Sequence, residues 1–394
     1  MGKWIGRAVL LSFWMFSAWY LYVGGLLTKS LDFPDSVLAI VIANLIFVGI
    51  FTFYAGAGKP KDVLFREAFG KNGARYFISL LPTLTQIGWY AVVVEIGGSA
   101  LALLVGAEKG SLFSWGIFLA YGLFTIWIAQ GGLSRIGKLS YISVPAMLAF
   151  VAWGAVAVFN RLGFGNLLDY RPAESSGGAL AAGIQILLAS FISAAVTIPD
   201  FLHDLGSKKK VLLASLWGMV PTAVLVGGLG AAFAIIGKSY DVMATLQLIS
   251  GPLIVYGLLS IDNLCGAQAV FPVGTGFASV VAGDCHSEAN KEFIRKCWTL
   301  IGGLVSIALA IVGIVGHLAT WLTILGVAFS PIIGVVLVNQ YLLKNNSSAR
   351  NVYWPALLSW AVGCAVAFAP WGIPVLNAMA ASALCFALIG KTRR

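Results

Sequence analysis

Charge is scarce in this chain. Only 10% of the 394 residues are Asp, Glu, Lys or Arg, 59% are hydrophobic, and the mean hydropathy is +0.92. A soluble domain carries roughly a quarter charged residues, so a water-facing globule is excluded and lipid is the expected solvent. Histidine is scarcer still: His203, His286 and His317 are the full set, all in loops or at helix ends. No His-Glu-x-x-His motif and no deep serine with a basic partner occurs, which argues against a membrane-embedded enzyme. The five cysteines stand at no metal-ligand spacing and read as small packing residues. Long polar segments are missing too. The longest loops, near 58–75, 160–178 and 282–296, leave no room for an extramembrane domain. Repeated filter sequences and polar rings, which a single-chain pore needs, are also absent. The first apolar run is too long for a cleavable leader and no small-residue cleavage site follows, so it is expected to stay as a membrane anchor.

What the chain has in quantity is apolar sequence. A membrane-crossing helix needs about 20 mainly apolar residues. Twelve such stretches are expected, near 8–28, 36–57, 76–106, 112–130, 139–159, 179–201, 211–236, 250–281, 297–315, 318–343, 352–370 and 372–390. The third and eighth are too long for a perpendicular crossing and must tilt or bend.

The formal charge of +10 could suggest a nucleic-acid partner, but the basic residues alternate by loop. Placing the N-terminus in the cytoplasm puts 20 of the 25 Lys and Arg residues on the inside. Only Lys29, Lys109, Arg161, Arg171 and Lys238 fall outside. That split follows the positive-inside rule, supports an even number of crossings with both ends cytoplasmic, and removes nucleic acid as a partner. The sequon at Asn345-Asn346-Ser347-Ser348 then faces the cytoplasm and is discarded. The partners left are a lipid bilayer (the plasma or inner membrane) and a small planar solute. No cofactor and no obligate protein partner is expected.

In a bilayer the informative side chains are the polar ones at depth. Most of the fifteen acidic residues lie in loops. Glu95 in the third stretch and Asp262 in the eighth do not, and a carboxylate at mid-membrane costs roughly 2.5 kcal/mol or more. Asp262 is expected to face a cavity, a cation or a proton path. Asp200, near the cytoplasmic end of the sixth stretch, is expected to cap a helix or hold an inner gate. In the third stretch Gln86 and Trp89 share a helix face. An amide beside an indole can bond the edge of a flat heterocycle and stack on its face, while Gly88 would let another backbone approach. The sixth stretch reads Ala189-Ser190-Phe191-Ile192-Ser193-Ala194-Ala195-Val196-Thr197-Ile198-Pro199-Asp200, a small, polar, β-branched run that can unwind. The first shows a similar weak point at Phe13-Trp14-Met15-Phe16-Ser17-Ala18-Trp19. Interrupted helices at corresponding positions of two halves point to a transporter with its site at the midplane. Ser330-Pro331 in the tenth stretch suggests a kink, either static or able to move as a gate.

Thr85-Gln86-Ile87-Gly88-Trp89, Ser190-Phe191-Ile192-Ser193-Ala194 with Asp200-Phe201, Gly274-Thr275-Gly276-Phe277-Ala278 and Ser330-Pro331-Ile332-Ile333-Gly334 occur in an order and spacing that resembles the purine–cytosine permeases, the bacterial branch of the nucleobase–cation symporters. The resemblance runs over nearly the whole chain. It implies an all-α membrane protein of 12 transmembrane helices with a LeuT-like 5+5 inverted repeat, in which helices 1 and 6 are discontinuous. Residues 1–160 would form the first repeat, 179–343 the second, and 351–390 two peripheral helices, all within one transporter domain over 1–394. It also implies a secondary active symporter for a cytosine-like base, a purine or a hydroxymethylpyrimidine, coupled to Na⁺ or H⁺. Trp89 and Phe191 would stack on the two faces of the base. Gln86, Ser193, the freed backbone near Ala194 and Ser17 at the first break would bond its edge. The cation would sit on backbone oxygens of Phe13 and Phe16 and on side chains of the eighth helix. There the chain departs from the pattern. One register puts Asp262 and Asn263 at the expected threonine pair, the other Leu264 and Cys265; oxygen ligands suit hard ions and favour the first. Asp262 also keeps an amino-acid or amine carrier on the same helix plan open as the alternative.

Overall fold

The computed structural model describes residues 3–108, 110–172, 177–239, 245, 252–281 and 287–391. Among them every regular element is helical, as lipid requires: with no water to satisfy the peptide groups, each segment must bond to itself. The helices are α1 (Lys3–Met15), α2 (Ala18–Leu27), α3 (Phe33–Tyr54), α4 (Lys61–Phe69), α5 (Leu80–Leu104), α6 (Leu112–Gln130), α7 (Gly132–Leu168), α8 (Ala179–Thr197), α9 (Pro199–Leu202), α10 (Lys208–Gly237), α11 (Pro252–Val281), α12 (Glu288–Val312), α13 (Leu318–Val338), α14 (Trp354–Val366) and α15 (Pro374–Ile389). Eight stretches of the described residues are long and apolar enough to cross a membrane. The other four expected stretches coincide with α1–α2, α11, α14 and α15.

Two groups of helices face each other. In one, α10 packs against α1, α2 and α3; in the other, α5, α6, α11 and α12 pack together. Between lipid-soluble helices the driving force is close packing rather than water exclusion. Gly24 of α2 lies directly on the backbone of Gly227 in α10, so a Cβ there would meet the Gly227 carbonyl. The outward surface is correspondingly greasy: Leu112, Val312 and Leu388 are each at least 80% exposed.

The expected loop at 58–75 contains α4, whose Leu64, Phe65 and Phe69 are buried. Its nine residues are too few and too polar to register as a crossing. The third stretch absorbs its excess length in a π-helical turn over Gly73–Ile78 ahead of α5. The fifth extends to Leu168, past its expected end, and breaks at Gly163, where φ is 65° and ψ 157°. Pro331 stands inside α13. Proline donates no backbone N–H and frees carbonyls on the preceding turn. Side chains of α14 satisfy them: the Cys364 thiol bonds the Val327 carbonyl (3.4 Å) and the Trp360 indole N–H the Ala328 carbonyl (2.9 Å). Ser382 of α15 donates to the Pro331 carbonyl (3.0 Å). The turn around Pro331 is thus tied to the last two helices.

Candidate functional site

The first span breaks at Phe16–Ser17, between α1 and α2. The Ser17 N–H turns back to the Met15 carbonyl (2.9 Å) and the Tyr20 N–H to the Ser17 carbonyl (3.0 Å). The Phe13 and Phe16 carbonyls lose the partners that a continuous helix would give them, four residues on. These are the oxygens expected to hold a cation, and bared carbonyls suit a hard ion such as Na⁺. Asp262 and Asn263 lie in α11, but their side chains, like that of Phe13, fall outside the described residues.

The Ser17 hydroxyl is 3% exposed as a residue and has no hydrogen-bond partner among the described residues. Burying a hydroxyl unpaired costs on the order of 1–3 kcal/mol. Such an atom at a helix break is a ready contact for a polar guest.

Around this break five aromatic side chains converge. The Trp89 indole N–H of α5 donates to Ser193 Oγ of α8 (3.2 Å). Trp19 of α2 lies 5.0 Å from Trp89 and 6.4 Å from Phe191, nearly parallel to the latter at 17°. Trp14 packs on Phe191 at 6.0 Å and on Phe201 at 4.6 Å. Trp89, Ser193 and Phe191 are therefore brought together through Trp19, which follows Ser17 by two residues. Trp19, however, makes ring contact with both faces assigned to the substrate. Neither Trp14 nor Trp19 had been singled out among thirteen tryptophans. The available signal was their placement on either side of the Ser17 break. Gln86 is half-buried on the same face as Trp89, and its amide bonds no other described residue.

The α5 turn that carries Gln86 and Trp89 is firmly held. Ser306 Oγ of α12 donates to the Ile87 carbonyl (2.7 Å), and the Tyr90 hydroxyl to the Gly122 carbonyl of α6 (2.7 Å). Gly88 makes the close approach expected of it, but to a different partner. A Cβ there would strike the Trp321 indole of α13 rather than a backbone, because α13 crosses this turn side-chain first. The buried Trp321 Nε1 has no partner among the described residues.

The sixth span is interrupted at Ile198, between α8 and α9, and not in its serine-rich part. Helix α8 continues through Ser190–Ala194. Ser190 and Thr197 turn their hydroxyls back onto the Leu187 and Ala194 carbonyls at 2.7 and 2.8 Å, patching the ladder instead of opening it. The Ala194 carbonyl accepts from that Thr197 hydroxyl, while the Ile198 N–H, its partner in a regular helix, turns to the Ala195 carbonyl (3.3 Å). Proline at 199 interrupts the ladder because it has no N–H to offer the Ala195 carbonyl; Ile198 itself keeps helical dihedrals (φ −56°, ψ −31°).

The acidic residues separate by role. Asp200 accepts from the Lys61 N–H (3.0 Å), capping α4, and pairs with the Lys61 ammonium (3.0 Å). Asp204 pairs with Arg7 (2.7 Å) and Lys3 (3.1 Å) at the start of α1. Partial burial alone would raise the Asp204 pKa. Hydrogen bonds and charge from Arg7 and Lys3 outweigh that and hold the carboxyl below its ordinary value. The segment after the sixth span is thus clasped to α1 and α4. Glu95, near the other end of α5, accepts from the Val315 N–H (2.7 Å) and caps the 3-10 turn Ile314–His317 that starts α13. No cluster of three or more His, Cys, Asp or Glu side chains able to hold a metal occurs among the described residues.

The permease family for cytosine/purines, uracil, thiamine and allantoin matches residues 3–389. The cytosine permease of Escherichia coli (strain K12) is 28% identical over 97% of this chain and 89% of its own length. The allantoin permease of Bacillus subtilis (strain 168) is 22% identical over 91% and 82%. Among solved structures, Mhp1, a nucleobase-cation-symport-1 family transporter, superposes in its inward-facing form with a TM-score of 0.84. That match is at 17% identity over 98% of this chain and 89% of the other. Its closed, bromovinylhydantoin-bound form gives 0.79 at 18% identity, covering 97% and 90%. A Na⁺-coupled sialic acid symporter, in a substrate-bound outward-open state, gives 0.66 at 12%, covering 98% and 95%. The fold is that of these symporters, and with its helices, its break at Ser17 and its match over 3–389 the chain belongs to the permease family for cytosine/purines, uracil, thiamine and allantoin.

Proposed function

We propose that this permease is a secondary active symporter for a nucleobase or related planar heterocycle, driven by Na⁺ or H⁺ through alternating access. The observation that carries the reading is the aromatic cluster of Trp14, Trp19, Trp89 and Phe191 beside the break of the first span, where the Ser17 hydroxyl is buried with no partner among the described residues. A flat polar ring is the guest that such a cluster fits. It stacks on indole faces, each base–aromatic stack being worth roughly 1–3 kcal/mol, and its edge supplies the hydrogen bonds that the side chains lack.

In this mechanism Trp89 and Phe191 form the stacking faces and Trp19 yields as the guest enters. Gln86, Ser193 and Ser17 bond the ring's edge. The Ala194 carbonyl, which accepts the Thr197 hydroxyl and not the Ile198 N–H, keeps a lone pair for the ring. The Phe13 and Phe16 carbonyls hold the cation, with Asp262 and Asn263 of α11 as the side-chain ligands. Because the same break presents the cation oxygens and the Ser17 hydroxyl, filling one site orders the other. Linkage then makes each ligand raise the other's affinity by the same factor. The Asp204–Arg7–Lys3 and Asp200–Lys61 clasps close the basic end and must release for the guest to leave there. We read that end as cytoplasmic, with both termini on it and the protein in the inner membrane, because 20 of its 25 basic residues lie on that side. Residues 1–160 and 179–343 are read as the two inverted repeats, with 351–390 peripheral.

The test is a thermal-shift screen of the purified protein against pyrimidines, purines, hydantoins and amino acids, each with and without Na⁺. Stabilisation by a planar heterocycle is expected, strengthened by Na⁺ or by lowered pH. Stabilisation by an amino acid alone would overturn the substrate class.

A further inference from the structure

A second binding surface lies away from the aromatic cluster. Between α3 and the end of α13 runs an apolar groove of about 390 Å³, lined by Gly49, Ile50, Phe53, Leu337, Tyr341 and Leu342. It opens outward from the helix bundle, where Phe53 and Leu342 are 52% and 65% exposed. Gly49 leaves its floor open: a Cβ there would meet nothing within 4 Å. In a membrane-spanning chain this groove faces lipid.

Its mouth is charged. Lys208, Lys209 and Lys210 begin α10 and are all exposed. No carboxylate among the described residues is within ion-pair distance of any of them, although other basic residues at this end are paired. Lys208 is held over the groove by two rings. Its ammonium lies 4.5 Å from the Tyr341 ring centroid and 5.1 Å from that of Phe53. The Tyr341 hydroxyl donates to the Phe53 carbonyl (2.7 Å), so the two walls are tied together at the rim. Two aromatic faces and an aliphatic stem thus position one cation at the head of a greasy channel, and Lys209 and Lys210 follow it in the same helical turn.

We propose that this groove is a binding site for an anionic glycerophospholipid: the phosphate sits among Lys208, Lys209 and Lys210, and one acyl chain lies along Phe53, Tyr341 and Gly49. Charge complementarity selects the occupant. A zwitterionic lipid would fill the groove equally well but would bring its own cation to three unpaired ammonium groups. Basic pockets beside membrane helices bind acidic head groups, with each lysine near the surface contributing about fivefold at low salt. The occupant would brace α3 against the turn that ends α13.

Native mass spectrometry of the full chain in neutral detergent tests this, with dioleoyl-phosphatidylglycerol, dioleoyl-phosphatidylcholine and glycerol 3-phosphate as probes. Wild type should retain phosphatidylglycerol in preference to phosphatidylcholine. Combined Lys208→Gln, Lys209→Gln and Lys210→Gln should lower that retention by about a hundredfold. Gly49→Phe should also lower it with every lysine in place; Leu342→Trp serves if that variant is not monodisperse. Equal retention of the two lipids would overturn the proposal. So would unchanged phosphatidylglycerol binding in the groove-filled variant, since surface attraction alone would then explain it. Binding of glycerol 3-phosphate as tightly as the lipid would overturn the role of the groove.

Discussion

Replacing Ser17 with alanine should act in opposite directions on the ligand-free protein and on binding. The hydroxyl is buried at the break of the first span and bonds no described residue. An unsatisfied buried hydroxyl costs on the order of 1–3 kcal/mol, so its removal should stabilise the ligand-free protein by about 1 kcal/mol. In a chain of 394 residues that is a rise in Tm of about 1–2 °C, because the entropy of unfolding grows with size. The bound state loses a hydrogen bond to the guest. That bond contributes roughly 1 kcal/mol net, so affinity should fall about fivefold. The assay is a thermal melt of both proteins across a titration of the stabilising heterocycle. The variant should begin higher and gain less from ligand. A lower starting Tm with unchanged affinity would refute the reasoning, because the hydroxyl would then serve the fold and not the guest.

Trp19→Ala should enlarge the site and improve binding of two-ring purines relative to one-ring pyrimidines, read by competition; an unchanged preference would remove Trp19 from the guest's path. Asp204→Asn should lower stability at neutral pH by roughly 1 kcal/mol, a modest figure because its partners are partly exposed. Its carboxyl is held below the ordinary value of 3.8. The clasp is therefore fully present above that value and is lost as the pH falls through the depressed one. The gap between wild type and variant should close in acid melts and persist at pH 7. Glu95→Ala removes the cap on the Val315 N–H and should cost about 1 kcal/mol, with slower transport but unchanged ion dependence. A changed ion dependence in transport assays would instead place Glu95 on the coupling path.

The helix plan was legible because lipid imposes one strong rule, that each crossing be long and apolar. Even so, α4 was missed: its nine residues are amphipathic and too short for that rule. The site was legible where polar residues stood out of apolar surroundings, as with Gln86 and Trp89. It was not legible where the answer depended on packing. The run Ser190–Ala194 looks weak in sequence, yet α8 stays wound through it, and the interruption falls at Ile198, before Pro199. Trp14 and Trp19 read as two tryptophans among thirteen; only the fold brings them against Phe191 and Trp89. Glu95 and Asp200 looked alike as acidic residues in or near spans, and both turn out to cap helices elsewhere in the chain.

The account rests on a flat ring stacking against the indole of Trp89. Equilibrium binding of radiolabelled cytosine to the purified protein, wild type against Trp89→Ala and Trp89→Phe, measures this directly. Loss of one stacking face is worth roughly 1–3 kcal/mol, or about 5- to 150-fold in affinity. Alanine should weaken saturable binding by that range with folding intact, and phenylalanine should keep most of it. Full-strength binding in the alanine variant would contradict the account.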